Sequence, residues 1–78
     1  MDNNERRESI MGRICSLKAR LESTASDIGD WKGIKYRDYR DAGYDAPYSD
    51  ADMQVYYDAR KAVRVEINRL EAELNSLN

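Results

Sequence analysis

The last third of the chain carries one continuous hydrophobic stripe. Its members are separated by alternating steps of three and four residues, the spacing that holds one face of an α-helix against a partner helix. The pattern predicts a long helix over about residues 50–75, and Ser49, three residues before Asp52, is placed to begin it with a capping box. The stripe consists of Met53, Tyr56, Arg60, Val63, Ile67, Leu70, Leu74 and Leu77.

A shorter stripe with the same spacing lies near the start of the chain, at Ile10, Ile14, Leu17 and Leu21. It predicts a helix over about residues 4–23. Two such stripes favour an antiparallel hairpin in which each stripe covers the other. The last helix would be about 40 Å long, too long for the first helix to cover. The rest of its stripe is therefore expected to meet the middle of the chain or another subunit.

Between these helices the sequence predicts a break and a third, shorter helix. Residues 23–27 are rich in serine and threonine, which favour turns and helix caps. A short helix is then predicted over about residues 27–42, with Ser26 or Asp27 as its cap. One face of this helix would carry Ile28, Trp31, Lys35, Tyr39 and Ala42.

Glycines and proline mark the limits of the short helix. Gly29 and Gly33 argue against it, because each costs about 1 kcal/mol relative to alanine inside a helix, and a partial two-residue alternation in the same stretch leaves a strand as the alternative. Gly43 is placed to end the helix as a C′ glycine. Residues 43–49, with Pro47, predict an ordered turn.

Together these elements predict an all-α fold in a single domain spanning residues 1–78. A core of this size rarely supplies more than ~3–5 kcal/mol without disulfides, metal or self-association. Cys15 is the only cysteine and histidine is absent, so no internal disulfide and no zinc site is expected. The sequence therefore predicts a homo-oligomer in a reducing, cytoplasmic compartment.

The charge and hydropathy of the chain exclude several classes of partner. Thirteen basic and fifteen acidic residues give a net charge of −2, which argues against DNA or RNA as a ligand. No stretch approaches the roughly 20 apolar residues of a membrane span, and the first eight residues are rich in charge and lack an apolar run, unlike a secretion signal. Neither membrane insertion nor secretion is expected.

The sequence offers little for catalysis. Without histidine, neither a Ser-His-Asp nor a Cys-His arrangement can form. No phosphate-binding loop, dinucleotide glycine motif or calcium loop is present, and the aspartates match no recognised metal loop. We therefore predict a protein that is not an enzyme and that uses no cofactor or metal. Cys15, beside Ile14, is expected to be a buried or half-buried side chain rather than a reactive thiol.

Arg60 interrupts the long stripe, and a guanidinium there requires a partner because burying it unpaired costs several kcal/mol. In one interpretation, Arg60 stacks on Trp31 or a tyrosine of the central segment and bonds an aspartate there, which locks the middle helix onto the hairpin. In the other, it converges with further cations and aromatic rings on an anion such as a nucleotide phosphate. The residues of that second arrangement are Arg60, Arg64, Lys32, Lys35, Trp31 and Tyr39.

Trp31 and all six tyrosines lie in residues 27–57. They are too numerous for the interior of so small a domain, and exposed aromatic and arginine side chains are the usual anchors of protein interfaces. Stacking on nucleobases is a second use of these rings, but the interleaved aspartates would repel a phosphate backbone. A third interpretation is that the rings only fill the gap between hairpin and turn. The predicted partner-binding residues are Trp31, Lys35, Tyr36, Tyr39, Tyr44, Tyr48, Arg60 and Arg64.

The order and spacing of several positions over about two thirds of the chain resemble small phage and prophage proteins often associated with tail-gene regions. The matching positions are Leu21, Asp27-Ile28-Gly29-Asp30-Trp31-Lys32, Ile34-Lys35, Pro47-Tyr48, Arg60, Arg64 and Ile67-Asn68-Arg69-Leu70-Glu71. The resemblance implies phage origin and transfers no catalytic residues. It implies action by binding, either during virion assembly or against a host defence protein, in the host cytoplasm.

These observations predict a non-enzymatic, oligomeric protein-binding module whose partners are itself and a host or virion protein. The alternative is an anti-defence protein. Such a protein would either occupy a host immune effector or sequester a nucleotide signal between aromatic rings and basic side chains.

Overall fold

A computed structural model of the chain describes residues 2–77, and over that range it contains three helices and no strand. The helices are α1 (Asn3–Glu22), α2 (Asp30–Asp41) and α3 (Asp50–Ser76). The molecule is elongated, with principal dimensions of 54 × 19 × 16 Å. The prediction of an all-α fold is confirmed. Within the described range, no helix has the length and apolarity that crossing a membrane requires.

The first and last helices pack as an antiparallel hairpin. At one end Arg6 of α1 lies 2.6 Å from the Glu73 carboxylate of α3, and at the other Arg60 of α3 reaches the main chain of Leu21. The two predicted stripes meet between these ends, as expected. The buried core comprises Ile10, Ile14, Leu17, Leu21, Val63, Ile67 and Leu70, with Ile28, Leu74 and Leu77 partly buried against it.

The N-terminal part of the α3 stripe extends beyond this core. Met53 and Tyr56 are nevertheless 3% and 4% exposed. The Tyr56 hydroxyl bonds main-chain groups of Gly29 and Gly33 at the start of α2. The sequence predicted that either the middle of the chain or another subunit would meet this end of the stripe. Within a single copy, the middle of the chain makes these contacts.

Two predicted helix ends are confirmed in detail. The Ser49 hydroxyl accepts from the Asp52 amide at 3.1 Å while the Asp52 carboxylate accepts from the Ser49 amide at 3.3 Å, which is the predicted capping box. At the end of α2, Gly43 has φ of +79°. The Tyr44 amide returns to the Tyr39 carbonyl at 2.9 Å and the Gly43 amide to the Arg40 carbonyl at 3.1 Å, which forms a Schellman motif.

The start of α2 differs from the prediction. Its N-cap is Gly29, without a side-chain cap, and not Ser26 or Asp27. The linker uses its hydroxyls for its own turns, because the Ser23 Oγ accepts from the Ala25 and Ser26 amides, each at 3.0 Å, and the Ser26 Oγ accepts from the Ile28 amide at 3.3 Å.

Cys15 was predicted to be buried or half-buried, and this prediction is wrong. Its thiol is exposed. The residue directly follows Ile14, and each step along a helix turns the side chain by about 100°, which carries Cys15 out of the buried stripe.

Candidate protein-interaction surface

Helix α2 lies against the hairpin without burying any of its own side chains completely. None of its twelve residues is buried, although all three helices contribute to one elongated body. Seven of the twelve are charged, and such side chains are seldom fully buried unless they are paired. A helix of this kind is held by a few specific contacts, and its side chains are left to form a surface.

The first of these contacts is the Tyr56 hydroxyl of α3. It donates to the Gly29 carbonyl at 2.7 Å and accepts from the Gly33 amide at 3.2 Å. It therefore bridges the two groups that would form the first i→i−4 bond of α2. Gly33 leaves room for the ring, since a Cβ there would lie only 3.1 Å from the hydroxyl oxygen. Gly33, which argued against a helix in the sequence, therefore makes room for Tyr56, the residue that anchors α2.

Arg60 supplies the second contact and joins all three helices. Its Nη1 donates to the carbonyls of Leu21 at 3.1 Å and Ile28 at 2.7 Å, while Nη2 donates to Asp30 Oδ1 at 2.6 Å. The guanidinium also lies 5.5 Å from the centre of the Tyr56 ring. The side chain is only 13% exposed. These contacts correspond to the locking interpretation, because the cation satisfies a carbonyl in the last turn of α1 and an acid in the first turn of α2.

The side of α2 next to the end of α1 combines apolar, aromatic and charged groups, and Ile34 lies at its edge because it also lines a groove with α3. The Trp31 Nε1 donates to the Ser26 carbonyl at 2.6 Å, which orients the indole against the linker. Ile34 is 52% exposed and Tyr39 is 38% exposed. We call this the α2 outer face, and its residues line an open groove beside the end of α1. They are Trp31, Ile34, Lys35, Asp38 and Tyr39.

The other side of α2 forms a second open groove with α3, of about 610 Å³. The Tyr36 hydroxyl donates to Asp50 Oδ1 at 3.3 Å, and the Arg40 guanidinium lies 5.5 Å from the Tyr36 ring centre. Tyr57 is 50% exposed on the opposite wall. We call this the α2–α3 groove. It is lined by Asp30, Gly33, Ile34, Tyr36, Arg37, Arg40, Asp41, Tyr56, Tyr57 and Arg60.

The turn between α2 and α3 separates two of the predicted tyrosines. Tyr48 is half-buried, with the Lys32 Nζ 4.7 Å and the Lys35 Nζ 6.0 Å from its ring centre. It therefore holds the turn against α2 by cation–π contacts. Tyr44 is 72% exposed beyond the end of α2.

The structure brings together only some of the predicted partner-binding residues. Trp31, Lys35 and Tyr39 meet on the α2 outer face. Tyr36 and Arg60 line the α2–α3 groove instead. Arg64 lies in a third groove, between α1 and α3, lined by Lys18, Leu21, Glu22, Asp30, Arg64, Ile67, Asn68 and Glu71. The cations expected to converge on an anion are thus distributed over three places, and Arg60 already binds two carbonyls and an aspartate.

Four surface residues were missed by the sequence prediction. Ile34 lies three positions after Trp31 and four before Asp38, so helical spacing alone would have placed it on the α2 outer face. Tyr57 follows the buried Tyr56 and so lies about 100° away from the stripe. Arg37 and Arg40, both in the α2–α3 groove, carried no comparable signal because their groove forms only when α2 docks.

One surface ion pair on α3 has shifted pKa values. The hydrogen bond and charge of Arg69 lower the pKa of Glu66, and Glu66 in turn raises the pKa of Arg69. The two side chains are 2.7 Å apart on the surface of α3, so their pairing accounts for both shifts. Over residues 2–77, no group of three or more acidic or cysteine side chains is placed to hold a metal ion.

Comparison of the chain with protein-family models, with curated proteins and with solved structures found no match. The resemblance to phage proteins therefore stays a prediction. The functional assignment depends on the geometry of α2 and its two grooves.

Proposed function

We propose that this protein is a non-enzymatic binding module that recognises a protein partner through the α2 outer face. The observation that carries the proposal is that Ile34 and Tyr39 are exposed beside the half-buried Trp31, in one groove of a helix that Tyr56 and Arg60 anchor. Trp and Tyr are enriched among the residues that dominate binding energy at interfaces. Lys35 and Asp38 flank the apolar side chains as a polar rim does.

The anchoring of α2 supports the same proposal. Tyr56 and Arg60 bind its main chain and first turn, so residues of α3 anchor α2, while Ile34 and Tyr39 of the outer face stay exposed. On binding, such a surface loses side-chain freedom mainly at its polar rim, Lys35 and Asp38. The resemblance to phage proteins adds the nature of the partner, a virion protein or a host defence protein in the cytoplasm.

The proposal is tested by Ile34→Asp with Met11→Asp as its matched control. Ile34 and Met11 are 52% and 50% exposed on different helices, so both variants place a carboxylate at an equally open apolar position. Host and virion proteins are first captured on the wild-type chain, and the affinity of the purified partner is then measured by calorimetry. Ile34→Asp is expected to weaken binding at least thirtyfold, roughly the 2 kcal/mol of an interface anchor, while Met11→Asp binds as wild type. Equal binding by the two variants would refute the proposal.

A second candidate function, sequestration of a nucleotide signal, is favoured by the α2–α3 groove. Two tyrosine rings, Tyr36 and Tyr57, lie there with Arg37 and Arg40, a combination suited to stacking on a base and binding its phosphate. A panel of cyclic and linear nucleotides tests it through the melting temperature. A rise with one nucleotide that Arg40→Ala abolishes and Lys35→Ala preserves would place the ligand in this groove. No rise with any nucleotide would remove this candidate.

A further inference from the structure

The side of α3 opposite the hairpin core carries a second stripe with heptad spacing. Its positions alternate steps of four and three residues along the whole helix, and all of them are exposed. Val55 and Val65, its largest apolar members, are 70% and 59% exposed. We call it the α3 outer stripe, and it consists of Ala51, Val55, Asp58, Ala62, Val65, Arg69, Ala72 and Ser76.

Neither α1 nor α2 covers this stripe. The molecule is only 19 × 16 Å across its long axis, which leaves room for a hairpin but not for a further layer, since one helix with its side chains is about 10–12 Å wide. Helix α3 thus has apolar positions on two opposite sides, of which the chain itself buries one. A helix with such a pattern is typical of one that packs on both sides.

We propose that the α3 outer stripe pairs with the same stripe of a second copy, as an antiparallel two-stranded coiled coil. When two copies of the stripe run in opposite directions and are centred on the midpoint of residues 51–76, each stripe position faces another stripe position. Reversal places Val55 opposite Ala72 and Ala62 opposite Val65, so each valine meets an alanine of the other copy. Every layer occurs twice, as a two-fold symmetric interface requires. Valine against alanine also lets two helices approach closely along their length.

Charge complementarity identifies both the occupant and its direction. The same reversal places Asp58 opposite Arg69, the two charged positions of the stripe. A parallel pairing would instead set Asp58 against Asp58 and Arg69 against Arg69, and like charges at facing positions disfavour an interface. Both side chains remain exposed, although Asp58 accepts from Gln54 at 2.9 Å and Arg69 binds Glu66.

The positions that flank the stripe are compatible with this pairing. On one side the facing pairs contain a single lysine and otherwise only amides. On the other side there is one kind of like-charge pair, Asp52 with Glu73. The two-fold symmetry repeats it at both outer ends of the interface, where water screens the repulsion. The flanking pairs are Lys61 with Asn68, Gln54 with Asn75, Ala59 with Glu66, and Asp52 with Glu73.

The first test is the molar mass in solution, by light scattering and sedimentation over a range of concentrations. The wild-type chain is expected at twice its own mass. Val65→Glu should reduce this to the mass of one chain, because the carboxylate falls in a central layer. Arg64→Gln lowers the net charge by the same one unit at the neighbouring exposed position, outside the stripe and its flanking positions, and should leave the mass doubled. Circular dichroism verifies that both variants retain their helices.

A second test uses disulfide formation and avoids disruptive substitutions. In a Cys15→Ser background, chains with Val55→Cys and chains with Ala72→Cys are oxidised separately and as a mixture. Within one chain the two positions are about 25 Å apart along the helix, so they cannot join intramolecularly. The antiparallel pairing predicts a covalent dimer from the mixture and little from either variant alone.

The outcomes separate this proposal from the function proposed for α2. A monomeric wild-type chain at all concentrations would overturn it, as would a Val65→Glu variant that keeps the doubled mass. Cross-linking of each cysteine variant with itself would overturn the antiparallel direction. None of these results bears on Ile34, which lies on a different helix, and Ile34→Asp is expected to remain a dimer.

Discussion

Replacing Arg60 removes a side chain that bonds α1, the linker and α2 at the start of α2. In Arg60→Ala the carbonyls of Leu21 and Ile28 lose a charged donor, and Asp30 loses its ion-pair partner. Hydrogen bonds to a charged group contribute about 1.5–3 kcal/mol each. The pair with Asp30, which is 47% exposed, is discounted for solvent to at most about 1 kcal/mol.

The low end of these contributions predicts a loss of about 3–4 kcal/mol in the free energy of unfolding. With a urea dependence of about 1 kcal/mol per molar for a small domain, the midpoint of unfolding should fall by roughly 3 M. Circular dichroism reports the loss of helix, and fluorescence of Trp31, the sole tryptophan, reports detachment of α2. The protein concentration is held constant so that self-association does not change the comparison.

Two further substitutions test the reasoning behind this magnitude. Arg60→Leu restores an apolar residue to the stripe but leaves the two carbonyls without their donor, so it should remain less stable than wild type. Arg64→Ala, an exposed arginine one turn away, should change the free energy of unfolding by less than about 0.5 kcal/mol. An Arg60→Leu variant as stable as wild type would refute the argument, because the buried cation would then contribute no net stabilisation.

The remaining predictions concern single groups. Tyr56→Phe leaves two main-chain groups of α2 without their bridge and should lower the free energy of unfolding by about 1–3 kcal/mol, measured by urea titration. Gly29→Ala should be strongly destabilising in the same titration, since the added methyl group would overlap a linker carbonyl, whereas Gly12→Ala, in open space within α1, should stabilise by about 1 kcal/mol. The Cys15 thiol should react with a thiol reagent in the native protein as fast as in urea, and slow reaction would contradict its exposure.

The hairpin was predictable because its information is local and periodic. The two stripes at Ile10 to Leu21 and Met53 to Leu77 specify which faces are buried, and the capping box at Ser49 depends on residues three apart. The C′ glycine at Gly43 is likewise set by its own backbone conformation. Each of these features follows from neighbouring residues along one helix.

The start of α2 was not predictable in the same way. Gly29 serves as a cap because the Ser23 carbonyl leaves no room for a side chain there, and this proximity arises only when the linker folds. Gly33 is accommodated because Tyr56, 23 residues away, provides the hydroxyl. The same limit applies to the candidate site, where Trp31 and Tyr39 share a helical face, but the α2–α3 groove requires two distant helices to meet.

The hydroxyl bridge from Tyr56 into α2 has a consequence for hydrogen exchange. The first turn of α2 is completed by a hydroxyl group from α3, so this turn loses its bridge whenever α2 separates from α3. Opening of α2 uncovers Met53 and Tyr56 of α3, whereas opening of the hairpin exposes the larger core of seven buried side chains. The amides of α2 should therefore exchange through a low-energy, sub-global opening while those of Ile14 and Ile67 await complete unfolding. The chain then contains two cooperative units, and the smaller one carries the proposed recognition surface.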